Sequence, residues 1–286
     1  MSSSITPSQT FPILDTISAE DINFDRRFGG IARLYGTAAL TRFRLARVCI
    51  IGVGGVGSWA VEALARSAVG HLTMIDLDNL AESNVNRQIH ALTNTLGQAK
   101  VTALAARIKQ INPYCQVTEV EDFINTDNLE EMLGGNRYDY VIDAIDNVRA
   151  KTAVIAYCRD HSIRLITIGS AGGQVDPTCI DVRDLARTEQ EPLLAKVRKL
   201  LRSQYRFPSG EKSKFGIDAV FSTEPLRLPI NQAVCSTDNQ ETAGVTGLNC
   251  AGYGSAVVVT ATFGLVAAAY TLRKLAADAE EKVTMV

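Results

Sequence analysis

The feature that most constrains this chain is a glycine cluster set between two apolar segments of different periodicity. Gly52, Gly54, Gly55 and Gly57 make up G-V-G-G-V-G. Just before it, residues 48–51 (V-C-I-I) form a short apolar run of the kind that fills a buried parallel strand. Just after it, Trp59, Val61, Leu64 and Ala68 recur at helical spacing until Gly70. A second strand, residues 72–75 (L-T-M-I), ends in Asp76 and Asp78. Strand, glycine turn, helix, strand and acid make a βαβ unit. Glycines let a backbone approach a phosphate closely, and a helix N-terminus offers it unpaired N–H groups and a favourable dipole. Asp76 stands where such folds place the acid that holds ribose hydroxyls. Against this nucleotide reading stands a tight turn that needs glycine only for packing.

The alternation continues, and it predicts an α/β fold, a doubly wound, mostly parallel Rossmann-like sheet with helices on both faces. Residues 21–46 read as one or two amphipathic helices, 97–111 as a helix stopped by Pro113, and 117–120 as a strand. A short helix over 129–133 and a strand over 140–142 lead into D-A-I-D-N; a helix over 150–160 and a strand over 164–168 follow. Beyond Gly173 the pattern loosens into an irregular basic insertion. Residues 174–185 read as a strand pair, 192–205 as a basic helix, and 206–250 as loop, with Pro208, Pro225 and Pro229. Residues 1–20 are expected to be a disordered lead-in. Residues 21–286 form a single domain, in which 174–250 are the basic, loop-rich segment facing the substrate. The nearly uncharged stretch 250–272 is long enough to span a membrane, but it is rich in Ala, Gly, Ser and Thr. An apolar C-terminal helix in the core or at an interface is preferred over membrane association.

Composition excludes less than it permits. A net charge of −2 gives no whole-molecule field for a nucleic acid. The six cysteines contain no C-x-x-C pair, so neither a structural zinc nor a disulfide framework is expected, and a cytoplasmic location is.

The glycine motif does not specify which nucleotide binds. S-N-V-N-R-Q, with Ser83, Asn84, Arg87 and Gln88, and G-Q-A-K, ending at Lys100, narrow the choice. A dehydrogenase needs no Arg and Lys converging there. An enzyme that cleaves a triphosphate does, because charge on the phosphates must be offset as the bond to the α-phosphate breaks. Asp146, in the D-A-I-D-N turn, offers Mg²⁺ a hard oxygen ligand at a strand's C-terminal end. Its other reading is a helix N-cap.

Together, G-V-G-G-V-G, D-L-D, S-N-V-N-R-Q, G-Q-A-K and D-A-I-D-N-V-R-A-K closely resemble the E1-like (ubiquitin-activating, ThiF-type) superfamily of adenylating enzymes. The match runs from about Phe28 to Gly173 and resumes over 252–275. The resemblance implies that Gly55 contacts ATP phosphates, Asp76 holds ribose, and residues 83–87 bind the nucleotide. It implies that Arg87, Lys100 and Asp146 are catalytic, Lys100 neutralising phosphates, Asp146 coordinating Mg²⁺ and Asn147 completing the pocket. Two parts of the family pattern are missing. Where many relatives have R-Y-x-R-Q, this chain has R-R-F-G-G, with Gly30 in place of the second arginine, which leaves Arg27 or Arg33 as substitutes. No cysteine lies in a recognisable thioester motif; Cys235 is the best candidate.

In place of those parts stands a basic segment from Arg183 to Lys214, with Lys196, Lys199, Arg202 and Arg206 at helical steps and Tyr205 and Phe207 interleaved. Such a run is either a solvated face or an RNA-binding one. With R-F-G-G-I-A-R-L-Y-G, it makes the chain similar to the bacterial tRNA threonylcarbamoyladenosine dehydratase subgroup. That resemblance implies adenylation of the threonyl carboxylate on adenosine 37 of tRNA, then ring closure by the carbamoyl group. It also implies a homodimer and, through related proteins, cysteine desulfurase or sulfur-acceptor partners. Ring closure is intramolecular, which accounts for the absent thiol. Activation of a small protein's C-terminus for sulfur transfer, a Rossmann dehydrogenase and a non-catalytic nucleotide-binding scaffold stand as alternatives.

Overall fold

Ile50 and Ile51 are adjacent in sequence and lie in different cores. Side chains alternate faces along a strand, so a strand with no polar position must be covered on both sides. The computed structural model describes residues 23–135, 137–210, 212–227 and 253–284. Its seven strands form one sheet: β1 (Arg47–Ile51), β2 (His71–Ile75), β3 (Gln116–Val120), β4 (Tyr140–Asp143), β5 (Leu165–Ile168), β6 (Ile180–Asp184) and β7 (Asp218–Ser222). The spatial order is β3-β2-β1-β4-β5-β7-β6. Every neighbouring pair is parallel except β6 with β7. Val48 sits opposite Leu72 on one side and Tyr140 on the other. The strand order reverses between β1 and β4, and ligands of such sheets bind outside the carboxyl ends of the strands at that switch.

On one face, α2 (Thr37–Leu45), α3 (Gly57–Arg66), α4 (Lys100–Ile111) and α8 (Val257–Thr284) bury Phe43, Leu64, Leu104 and Phe263 against Ile50 and Ile142. On the other, α5 (Leu129–Leu133), α6 (Val148–Asp160) and α7 (Pro192–Tyr205) bury Leu133, Val154 and Val197 against Ile51 and Val141. The remaining helix, α1 (Phe24–Tyr35), begins at Asn23, whose side chain accepts from the Arg26 N–H at 2.8 Å. Arg27 on α1 donates to the carbonyls of Gln110 and Ile111 (3.0 and 2.9 Å), satisfying the C-terminal end of α4.

The apolar C-terminal stretch is used inside the protein. Val257–Ala279 meets the length and composition of a membrane span, yet half of it is buried against the rest of the chain. It packs on α3 and α2. Gly264 marks the crossing: a Cβ there would lie 2.3 Å from the Val56 carbonyl oxygen, inside the glycine motif. The Arg164–Asp278 pair, with both N···O distances 2.8 Å, fastens the far end of α8 beside the start of β5.

Three sequence expectations change. The fourth helix begins at Lys100 rather than Gly97, because residues 78–80 and 97–100 pair as a small antiparallel ladder: Gly97 N–H to Leu80 O, Leu80 N–H to Gln98 O, Lys100 N–H to Asp78 O. Residues 174–185 hold a single strand, β6, preceded by a short 3₁₀ turn over Pro177–Cys179. The partner of β6 is β7, which lies within the stretch read as loop. Residues 1–20, Cys235 and Cys250 lie outside the described residues.

Candidate nucleotide site

The tightest contact in the glycine motif is internal. A Cβ on Gly57 would lie 1.8 Å from the Gly52 carbonyl oxygen, so only glycine lets α3 start this close to the end of β1. Asp76 holds the loop in place. Its carboxylate accepts from the Val53 N–H at 2.8 Å and the Asp78 N–H at 3.0 Å. Burial pushes the Asp76 carboxyl above its ordinary value, with nearby Lys100 opposing the shift. Lys100 is nearly buried; its Nζ lies 2.6 Å from Asp78 Oδ2 and 3.7 Å from Asp76 Oδ1.

The 82–88 segment closes the other side. Asn84 Oδ1 accepts from the Ala81 N–H at 3.0 Å, and the Asn84 carbonyl accepts from the Arg87 and Gln88 N–H groups at 3.1 and 3.0 Å. Trp59 on α3 donates its Nε1–H to the Arg87 carbonyl at 2.9 Å. These bonds lay the Arg87 side chain over Gly55, where a Cβ would meet its Cγ and Cδ at 3.2 Å. The guanidinium donates to the Ser83 carbonyl (2.6 Å) and Asn86 Oδ1 (2.9 Å). Ser83 is exposed, and Gln88 is buried beside Gly54 with its Oε1 unpartnered. Asn86 Nδ2 reaches across to the Ser255 carbonyl at 2.9 Å, tying the turn to the approach of α8.

At the end of β4 the structure separates two neighbours. Asn147 is the N-cap of α6, its Oδ1 accepting from Arg149 and Ala150 N–H at 3.0 and 3.1 Å. The capping alternative for Asp146 therefore falls to Asn147. Asp146 is exposed, and its carboxylate has no hydrogen-bond or ion-pair partner among the described residues. Beneath this turn lies a buried cluster with no role assigned from the sequence. Lys151 Nζ contacts Asp143 Oδ2 (2.8 Å), the Asp143 carbonyl (3.2 Å) and Thr167 Oγ1 (3.0 Å). Thr167 in turn donates to Asp143 Oδ2 at 2.7 Å.

Two further groups escaped sequence reading. His90 is buried with both ring nitrogens unpartnered, and its pKa is pushed down to about 3 by burial and then by Lys100 and Arg107. Gln174, after β5, is buried with both amide atoms unpartnered. Histidine or glutamine in a polar stretch carries no local signal of burial.

The basic segment is divided in use. Lys196, Lys199 and Arg206 are exposed on and just after α7, with Arg206 at its left-handed C-cap. Arg202 turns instead onto Phe215, its guanidinium carbon 5.1 Å from the ring centroid, and leaves the shared face predicted for these four. Of the two arginines considered as substitutes near the N-terminus, Arg27 is committed to α4, while Arg33 is exposed.

A family model described as the ThiF family matches residues 27–285. The chain is 50% identical over 261 residues to a tRNA threonylcarbamoyladenosine dehydratase of Haemophilus influenzae, covering 91% of this chain and 97% of that protein. Its structure is similar to that of an E. coli tRNA N6-threonylcarbamoyladenosine dehydratase in complex with ATP, with TM-score 0.80, 48% identity, and coverage of 93% of this chain and 99% of that one. The same enzyme in complex with AMP gives TM-score 0.81 at 48% identity, with the same coverage. The chain belongs to the ThiF family, in the branch that holds the tRNA threonylcarbamoyladenosine dehydratases.

Proposed function

We propose that this chain is an ATP-dependent tRNA threonylcarbamoyladenosine dehydratase, cyclising N6-threonylcarbamoyladenosine at position 37 of tRNA. The observation that carries the reading is that half-identity runs through 97% of the dehydratase's length, far beyond the nucleotide motifs that adenylating relatives share. In this reading the threonyl carboxylate attacks the α-phosphorus of ATP and releases pyrophosphate. The carbamoyl group then attacks the activated carbonyl, closes the ring and releases AMP, a net loss of water.

The site is suited to that chemistry. The glycine motif presents backbone N–H groups at the start of α3, and Gly55 leaves space beneath Arg87 that a Cβ would fill. Arg87 and Lys100 supply positive charge for the phosphates. Arg87 has only its own turn to release, and Lys100 can release the exposed Asp78 while the buried Asp76 stays 3.7 Å away. Asp76, Asp78, Ser83, Asn84, Gln88 and Asn147 complete the proposed pocket. Mg²⁺ fits Asp146, whose carboxylate is unencumbered. Among the described residues no three His, Cys, Asp or Glu side chains converge, so phosphate oxygens and water would complete its shell. When bound, the ion offsets charge on the phosphates.

Lys196, Lys199 and Arg206 are proposed to meet the tRNA backbone, with Arg202 holding α7 against Phe215. Residues 174–250, as the substrate-facing segment, a homodimer, a cytoplasmic location and contacts with cysteine desulfurase or sulfur-acceptor proteins belong to the same proposal, on family resemblance.

Incubation with ATP, Mg²⁺ and threonylcarbamoyl-modified tRNA, followed by mass spectrometry of adenosine 37, tests the reading. Loss of one water is expected, and Asp146→Ala should lower its rate about 10²-fold or more with the fold intact. An unchanged mass from a protein that binds ATP would overturn the tRNA assignment and favour a protein C-terminus as substrate.

A further inference from the structure

Burying an amide without a hydrogen bond is costly, and buried polar groups in folded proteins are nearly all paired. Among the described residues, Gln174 is the one side-chain amide whose oxygen and nitrogen are both buried and unpartnered. Its relative exposure is 2%.

The backbone around Gln174 is pinned on both sides. Ser170 N–H donates to Glu191 Oε1 at 2.9 Å, and Gly173 N–H donates to the Gly254 carbonyl at 2.8 Å. Arg227 N–H donates to the Gly173 carbonyl at 2.8 Å. The N–H groups of Val175 and Asp176 both donate to Glu224 Oε2 at 2.9 Å. The unpaired side chain therefore sits on a firmly held main chain.

That main chain leads to the nucleotide site by two routes. It leaves the C-terminal end of β5, next to β4, whose own end carries Asp146. The stretch that receives the Gly173 N–H at Gly254 also receives Asn86 Nδ2 at Ser255, so two hydrogen bonds link this loop to the Arg87 turn. Ala171 shares a core with Val53 of the glycine motif.

We propose that Gln174 recognises the carbamoyl group of the substrate, an inference that rests on the dehydratase reading above. A carbamoyl group bonded to two nitrogens is a urea, with a carbonyl acceptor and N–H donors side by side. A carboxamide complements it: Oε1 accepts from a urea N–H while Nε2 donates to the urea carbonyl. Holding the urea at this point fixes the group that closes the ring relative to the carbonyl activated above Asp146, the positioning on which an intramolecular attack depends. The unpaired amide is then a group desolvated in advance, whose hydrogen bonds are made when substrate arrives. Tyr253 and Leu226 pack beside Gly173, next to the amide.

The near-isosteric Gln174→Met variant tests this, with Gln174→Leu as a second apolar replacement. Three quantities are measured: the thermal midpoint of the ATP-free protein, its ATP affinity, and the rate of water loss from threonylcarbamoyl-modified tRNA. The expected result is an unchanged or higher midpoint, because an unpaired amide has been removed, with ATP affinity within about twofold and the dehydration rate down about tenfold or more. Full dehydration activity in both variants overturns the assignment. So does a lowered midpoint with a parallel loss of ATP affinity, the mark of an amide needed for the fold. Wild-type protein that leaves the tRNA mass unchanged overturns the dehydratase reading and this assignment with it. An active wild type beside active variants removes this assignment alone.

Discussion

Along one edge of the sheet a lysine meets an aspartate at two strand ends, and the surroundings of the two pairs differ. At the end of β4, Lys151 and Asp143 are 2.8 Å apart with both side chains fully buried. Thr167 closes the triangle. At the end of β2, Lys100 is 2.6 Å from Asp78, whose side chain is 61% exposed, and 3.7 Å from the buried Asp76. The first pair is saturated and sealed, so it serves to fix β4, β5 and α6 under the Asp146 turn. The second has one member in water. Lys100 can exchange an exposed carboxylate for a phosphate at small cost, because pairs open to solvent contribute little. Similar residues thus give a fastener in one place and a phosphate-binding group in the other.

The comparison breaks most visibly through stability. Lys151→Met leaves the Asp143 carboxylate buried without its cation, which typically costs about 3–5 kcal/mol. For a chain of this size the thermal midpoint should fall by roughly 10 °C. The double variant Lys151→Met with Asp143→Leu should recover most of that loss, since an apolar pair can replace a buried ion pair. A single variant as stable as wild type would show that the pair is no fastener.

The open pair should behave in the opposite way. Lys100→Met leaves the buried Asp76 with its hydrogen bonds from the Val53 and Asp78 N–H groups, and is expected to lower the midpoint less than Lys151→Met while reducing the rate of tRNA dehydration about 10²- to 10³-fold. Asp78→Asn, at the exposed end, should leave stability within about 1 kcal/mol of wild type. Equal stability losses in Lys100→Met and Lys151→Met, measured by thermal unfolding side by side, would erase the distinction.

Lys100 was legible in the sequence and Lys151 was not, and burial explains why. Lys100 follows a glycine turn and an acid at positions where chemistry can be argued from spacing. Lys151 looks like any cation on a helix surface. Its partner Asp143 lies eight residues earlier, and only the docking of α6 on the sheet brings the two together. The same holds for the fold. Each βα unit from β1 to β5 is local and punctuated by Gly, Asp or Pro. β7 pairs with β5 across fifty residues and precedes β6 in the sheet though it follows it in the chain, so nothing local announces it. Arg202 keeps helical spacing with Lys196 and Lys199, but Phe215, from a later loop, draws it off their face. Asn147 took the cap that spacing alone left open to Asp146.

The smallest expected effect separates the pairs by pH. His90 is a neighbour of Lys100, and burial, followed by the charges of Lys100 and Arg107, brings its pKa down from 6.5 to about 3. The folded protein keeps the ring neutral where the unfolded chain would protonate it. Between pH 6.5 and 3 the unfolded state therefore binds the extra proton. The stability tied to His90 is fully present above pH 6.5 and is lost as pH falls toward 3. Each pH unit in that window costs at most about 1.4 kcal/mol. Thermal midpoints read from pH 7 to pH 5 should fall in the wild type and fall less steeply in His90→Leu. Lys100→Met should also flatten the slope, because one of the charges holding the ring neutral is gone. The double variant Lys151→Met with Asp143→Leu, which leaves no unpaired buried charge at that pair, should keep the wild-type slope. If it flattens the slope as Lys100→Met does, the two pairs are coupled and the sealed one is not sealed.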